Sequence, residues 1–181
     1  MKLTEKTLNK NYIYNGKIIN LRVDDALLPD GKTAKREIVE HNGGVCVAAI
    51  TNNDEILLVK QFRYPYGEVI YEIPAGKRDG NEDPLACGKR ELKEETGATA
   101  KTYISLGELY PTPGYCGEII WIFAAKDLDF GETNPDEEEF VEAIRVPFSD
   151  ALKMVMNGEI KDAKTQTAIL KLNELRKNGE F

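Results

Sequence analysis

The chain has 181 residues, 41% apolar and 30% charged, a make-up that suits one globular domain with a sizeable core. Its formal net charge of −7 argues against a nucleic-acid backbone or an acidic membrane as the main partner, because both reward basic patches, and no apolar run approaches the ~18 residues of a membrane span. Cys46, Cys87 and Cys116 are widely spaced and odd in number, with no CxxC, which excludes a disulfide frame and a zinc site and fits reduced, buried thiols in a cytoplasm.

Antiparallel strands are expected first. Tyr12-Ile13-Tyr14 runs into the turn Asn15-Gly16, followed by Ile18 to Val23, then Ala26-Leu27-Leu28, the turn Pro29-Asp30-Gly31, and Lys35 to Glu40. Val45 to Ile50 and Ile56 to Lys60 flank Asn52-Asn53-Asp54 as a further hairpin, and Val69 to Ile73 is a strand that ends at Pro74-Ala75-Gly76. The first helix starts at Asp83-Pro84, an N-cap followed by proline at the first helical position, and stops at Gly97. Leu85, Leu92 and Thr96 share its apolar face, with Gly88 between them expected to allow close packing on the sheet. Strands resume over 103–110 and 119–124, separated by the rigid loop Pro111-Thr112-Pro113-Gly114. An acidic loop from Phe130 to Phe140 precedes a short strand over 143–147. Ser149 is expected to cap a helix over 150–157 and Asp162 one that reaches about Lys177. There are no repeats and no low-complexity tracts.

The first helix carries the chemistry. Glu91, Glu94 and Glu95 stand at i, i+3 and i+4, so their carboxylates meet on one turn and repel. That repulsion points to a cation held there. Carboxylates without His or Cys are hard oxygen donors that select Mg²⁺, Mn²⁺ or Ca²⁺. The acidic stretch Asp127-Leu128-Asp129-Phe130-Gly131 puts glycine fifth, not sixth, so an EF-hand loop is excluded, and there is no Walker A motif and no GxGxxG. The single histidine, His41, leaves little basis for a Ser-His-Asp triad or a His-rich metal site.

Gly76, Glu82, Arg90-Glu91, Leu92, Glu94-Glu95, Gly97 and Ala98 resemble the Nudix box at every fixed spacing, Ala98 being small for the final aliphatic position. Outside the box, Lys60-Gln61-Phe62-Arg63-Tyr64, Glu72-Ile73-Pro74-Ala75-Gly76, Pro113 and Asp136-Glu137-Glu138-Glu139-Phe140-Val141 are similar to the ADP-ribose pyrophosphatase subfamily. Lys35-Arg36-Glu37 and the N-terminal strands look like it too. The resemblance implies an α/β (α+β) chain with the Nudix fold, a mixed β-sheet sandwiched between helices. Residues 1–42 would form an antiparallel N-terminal dimerisation segment and 43–181 the Nudix hydrolase domain. It implies metal-dependent hydrolysis of the pyrophosphate bond of ADP-ribose to AMP and ribose 5-phosphate. The alternatives are hydrolysis of another nucleoside diphosphate sugar, or a non-catalytic ADP-ribose sensor. The expected partners are that small substrate and a second copy of the chain, with neither nucleic acid nor membrane.

Within this frame Glu91 and Glu95 are the leading metal ligands, Glu94 is a third, and the resemblance adds the Ala75 carbonyl. More than one Mg²⁺ or Mn²⁺ ion would be held. Glu82 and Arg90 are read as an ion pair that orients the ligands, and Gly76 and Gly97 as a tight turn and a helix stop. By resemblance the base lies on the acidic loop: Glu137 is favoured, Glu139 is an added metal ligand or its replacement, and Glu138 is the remaining candidate. Arg36 and Arg63 are candidates for the diphosphate, since a guanidinium fork matches phosphate oxygens. Thr112-Pro113-Gly114 and Glu118 would shape the terminal ribose pocket. Tyr12, Tyr14, Phe62 and Tyr64 are candidate adenine-stacking surfaces.

Overall fold

The computed structural model describes residues 3–134 and 140–181. The chain divides into two compact units, one made of the residues up to Gly43 with Tyr110–Ile119, the other of Gly44–Leu109 with Ile120–Phe181.

In the first unit, β1 (Lys6–Asn15), β2 (Ile19–Leu27) and β3 (Thr33–His41) form an antiparallel sheet in the order β1-β2-β3. The expected break at Asp24-Asp25 does not occur. Both aspartates are paired on both sides, Asp24 between Lys10 and Arg36 and Asp25 between Asn9 and Lys35. Lys35 Nζ lies 2.5 Å from Asp25 Oδ1 and Arg22 Nε 3.4 Å from Asp24 Oδ1, so neighbouring cations offset the poor strand propensity of aspartate. The loop 110–119 belongs to this unit because its backbone pairs with β3: Val39 N–H donates to Tyr115 O at 2.8 Å and Gly117 N–H to Val39 O at 2.9 Å.

Among its described residues the second unit holds two sheets and three helices. β4 (Gly44–Ala49), β7 (Ala75–Lys77), β8 (Ala98–Leu109) and β9 (Ile120–Phe130) form a mixed sheet in the order β7-β4-β9-β8, with β4 and β9 parallel. β5 (Glu55–Arg63), β6 (Glu68–Glu72) and β10 (Val141–Pro147) form an antiparallel sheet in the order β10-β5-β6. The helices are α1 (Pro84–Thr96), α2 (Phe148–Met156) and α3 (Ala163–Lys177). Among the described residues no helix is long and apolar enough to cross a membrane.

Every residue of β4 is buried, and alternate side chains enter different cores. Cys46 and Ala48 join Ile122, Ala124, Ile169 and Leu172, the layer that α3 covers. Val47 and Ala49 join Leu92, Ala98 and Ala125 under α1. The sheet is thus covered by helices on both faces, as the resemblance implies. Gly88 of α1 lies where an added Cβ would come within 3.1 Å of Val47 and 3.2 Å of Val45, so the expected close packing on the sheet is present.

Two further expectations change. Residues 75–77 are not only a strand's end but a short strand of their own, β7, paired with β4. Ser149 does not cap α2. That helix begins at Phe148 after Pro147, with no side-chain cap, because Phe148 is buried and its N–H donates to Asp54 O at 2.9 Å.

The end of α1 agrees with its sequence. Gly97 takes φ +70°, its N–H closes on Lys93 O at 2.8 Å, and a Cβ there would fall 2.4 Å from Gly131 O. Gly97→Ala is therefore expected to destabilise the protein by about 1–3 kcal/mol, read from the urea unfolding midpoint; an unchanged midpoint would contradict the geometry.

Candidate active site

α1 begins where its cap dictates. The Asp83 carboxylate accepts from Ala86 N–H at 3.0 Å, and Pro84 fills the first position. The helix then turns Cys87, Gly88, Glu91, Leu92 and Glu95 inward, leaving Leu85 and Thr96 only half-buried. The buried face is rotated from the one expected because it includes two carboxylates. Glu91 is 7% exposed and Glu95 4%.

Both meet β7. A Cβ on Gly76 would lie 1.9 Å from the Glu91 carboxyl carbon, so only glycine lets that side chain press against the strand. Glu95 Oε2 accepts from Ala75 N–H at 3.1 Å. Glu94 is half-buried.

Arg90 ties the acidic residues together. Its Nη1 donates to Glu91 Oε1 at 2.8 Å and to Glu94 Oε2 at 2.9 Å, while Nε and Nη2 reach the Glu82 carboxylate at 3.3 and 3.1 Å. Glu82 above all, then Glu91 and Glu94, hold the guanidinium more firmly protonated against the cost of burial, and Arg90 in turn keeps the Glu82 carboxyl below its usual range. Arg78 secures the same loop: it donates twice to Glu82 O, at 2.8 and 2.6 Å, and stacks 4.6 Å over the Trp121 ring. Cys87 is inert; burial pushes its thiol up to about 12, and Sγ donates to Lys77 O.

Among the described residues no group of three His, Cys, Asp or Glu side chains is gathered in a geometry that could hold an ion. Arg90 draws Glu94 and Glu91, and the Ala75 amide engages Glu95. The donor chemistry nevertheless fits a hard divalent cation: two buried carboxylates face a strand backbone across a cradle that one methyl group would fill.

The other expected residues fall as follows. Arg63 sits at the end of β5 and grips Glu72 side-on, Nε to Oε1 at 2.5 Å and Nη2 to Oε2 at 2.7 Å. Arg36, in the first unit, forks onto Glu5 at 2.9 and 2.7 Å. Also in that unit, Pro113 is exposed, and Glu118 is half-buried with its carboxylate 3.4 Å from His41 Nδ1. Tyr12, Tyr14, Phe62 and Tyr64 are all exposed. Glu137, Glu138 and Glu139 lie outside the described residues.

The sequence reading missed a second charged cluster in the same unit. Glu72, 1% exposed at the end of β6, accepts from Arg63 and from Lys164 Nζ, which also donates to Asp162 Oδ1 at 3.1 Å. Asp162 caps α3 through Thr165 N–H at 2.9 Å, and Thr165 Oγ accepts from Ile73 N–H at 2.9 Å. One signal was available: Lys164 is a cation in the first turn of a helix, the wrong end of the dipole, which calls for a dedicated anion.

Burial pushes the Glu72 carboxyl up, but Arg63 and Lys164 pull it down by more, so it lies below its ordinary 4.5. A depressed carboxyl contributes stability that is present above the unfolded value and is lost as pH falls through the folded one. Wild-type stability should therefore fall more steeply than that of Glu72→Gln below pH 4.5, measured as urea midpoints from pH 7 down to 3; parallel curves would refute the assignment.

Residues 40–166 match the family model described as NUDIX domain, and residues 5–39 match the nucleoside diphosphate sugar hydrolase N-terminal domain. The chain is 48% identical over 169 residues to an ADP-ribose pyrophosphatase of Bacillus subtilis, covering 92% of this chain and 91% of the relative. It is 42% identical over 178 residues to a methanol dehydrogenase activator of Bacillus methanolicus, covering 96% of each. A crystal structure of an ADP compounds hydrolase superposes with a TM-score of 0.86 over 100% of both chains, at 21% identity. This last likeness supports the fold.

Proposed function

This chain belongs to the Nudix domain family, and we propose that it hydrolyses the pyrophosphate bond of ADP-ribose, giving AMP and ribose 5-phosphate. The observation that carries this reading is the pair of buried carboxylates, Glu91 and Glu95, pressed against Ala75 and Gly76. The 48% identity to a relative named for ADP-ribose supports the choice of substrate.

Glu91 and Glu95 are the proposed ligands of Mg²⁺ or Mn²⁺, with Glu94 and the Ala75 carbonyl completing the protein's share and Glu139 a further candidate. More than one such ion, when bound, supplies neutralisation of the diphosphate charge and orientation of the attacking water. Glu82, Arg90 and Arg78 hold the ligand-bearing helix and loop in register. Arg90 Nη1 holds Glu91 and Glu94, contacts that would open if those carboxylates took an ion, while its fork on Glu82 would keep the scaffold in place. Arg63, Arg36, Pro113 and Glu118 are the proposed substrate contacts. Glu137 is the proposed base that takes the proton of the attacking water.

Hydrolysis rates on ADP-ribose, ADP-glucose and GDP-mannose, with Mg²⁺ and with EDTA, test the reading. ADP-ribose should be fastest and EDTA should abolish turnover. An enzyme that leaves ADP-ribose intact while cleaving the other two would refute the substrate, and one that works equally well in EDTA would refute the metal. In the same assay Glu95→Gln should lose at least about 100-fold in turnover with little change in Tm, since residues that merely support ligands already cost 10–100-fold.

The proposed assembly is a homodimer through the N-terminal strands. All ten residues of β1 are exposed, including Leu8, Tyr12, Ile13 and Tyr14, and the strand lies at the edge of its sheet. An apolar edge strand of this kind favours pairing with another chain. Sedimentation should give a dimer for the wild type and a monomer for Ile13→Glu; a monomeric wild type would refute the assembly. The three free cysteines support a reducing, cytoplasmic setting.

A further inference from the structure

Glu72 has more cationic partners than a single ion pair requires. Arg63 takes both of its oxygens, and Lys164 adds a second contact to Oε2. The Lys164 side chain is only 11% exposed, so it lies largely out of solvent. The negative charge of Asp162 is shared between Lys164 and the first-turn N–H of Thr165 at the positive end of α3.

We propose that Lys164 is a positioning residue for hydrolysis, acting through Glu72 to aim Arg63 at the substrate diphosphate. This rests on the reading of Arg63 as a diphosphate contact. A guanidinium gripped along its Nε–Nη2 edge presents its Nη1 edge in one fixed direction. A carboxylate paired with Arg63 alone could turn together with it, whereas a second contact from Lys164 on Oε2 fixes Glu72 and, through it, the guanidinium. Asp162 balances Lys164 as Glu72 balances Arg63, so the lysine acts by fixing the carboxylate, not by adding net charge. The same attachment fixes the chain that follows. Ile73 N–H is held by Thr165, and two residues later Ala75 N–H meets Glu95, so the start of α3 sets both the arginine and the backbone against which Glu95 rests.

The test is a double-mutant cycle with Lys164→Met, Arg63→Gln and the pair, reading KM and kcat in Mg²⁺ on whichever of ADP-ribose, ADP-glucose or GDP-mannose the wild type turns over fastest. Lys164→Met should raise KM about tenfold, with a smaller loss in kcat, and Lys164→Arg should restore most of it. In the Arg63→Gln background the same change should alter KM by less than about twofold, because residues that act through one another are not additive. A KM for Lys164→Met equal to that of the wild type, or the same factor in both backgrounds, would overturn the proposal. Should Lys164→Met fail to fold, Glu72→Gln takes its place in the cycle, and equal factors with and without Arg63 again overturn it. A wild type that prefers ADP-glucose or GDP-mannose overturns the ADP-ribose reading while the cycle still decides the role of Lys164. Turnover of none of the three overturns both.

Discussion

The Glu91 carboxylate occupies the space where a side chain on Gly76 would begin. Much of the second unit is arranged to sustain that contact. A buried carboxylate is costly unless it is paired or hydrogen-bonded, and Glu95 doubles the demand one turn along. β7 must present bare backbone, so it is short and carries glycine. α1 must lie close to the sheet, so Gly88 meets Val45 and Val47 directly. Arg90 must lie at the head of the acidic turn, so the loop before the helix is drawn in around Glu82 and fixed by Arg78 on Trp121.

The two charged clusters of this unit differ in kind. Around Arg90 a half-buried guanidinium distributes its donors over three carboxylates and one carbonyl. Around Glu72 the geometry is reversed: one buried carboxylate gathers an arginine fork and a lysine. A lysine is a compact point charge and fits beneath the carboxylate, whereas the planar fork is needed where direction matters. Replacing Arg63 by lysine would keep the charge and lose the fork that sets its direction.

Local chemistry made much of the fold readable. Asp83-Pro84 and Gly97 marked the ends of α1, Asp162 marked the start of α3, and the spacing of residues 76–98 named the functional helix. Features decided by partners far along the chain were not readable. Asp24-Asp25 resembles an interruption until Lys35 and Arg22 are placed beside it. Ser149 is a good cap by composition, yet burial of Phe148 starts the helix first. The loop after Leu109 reads as a connector within one domain, but its backbone pairs with β3 and it belongs to the first unit. Glu72 and Lys164 are separated by 92 residues, and only the wrong-end lysine gave any local sign of the pairing.

The burial of β4 on both faces also bears on how the chain is made. Its parallel neighbour is β9, which starts at Ile120, and the helix over its second face, α3, starts at Ala163. Between them runs a stretch of sequence that can close only as a long loop, so this pairing is entropically late and slow. During synthesis the apolar run from Val45 to Ile50 therefore leaves the ribosome well before the strand and helix that shield it. A chain emerging in this order exposes that apolar run until β9 and α3 arrive, and substitutions that delay closure here would lower the yield of folded protein before they affect its chemistry.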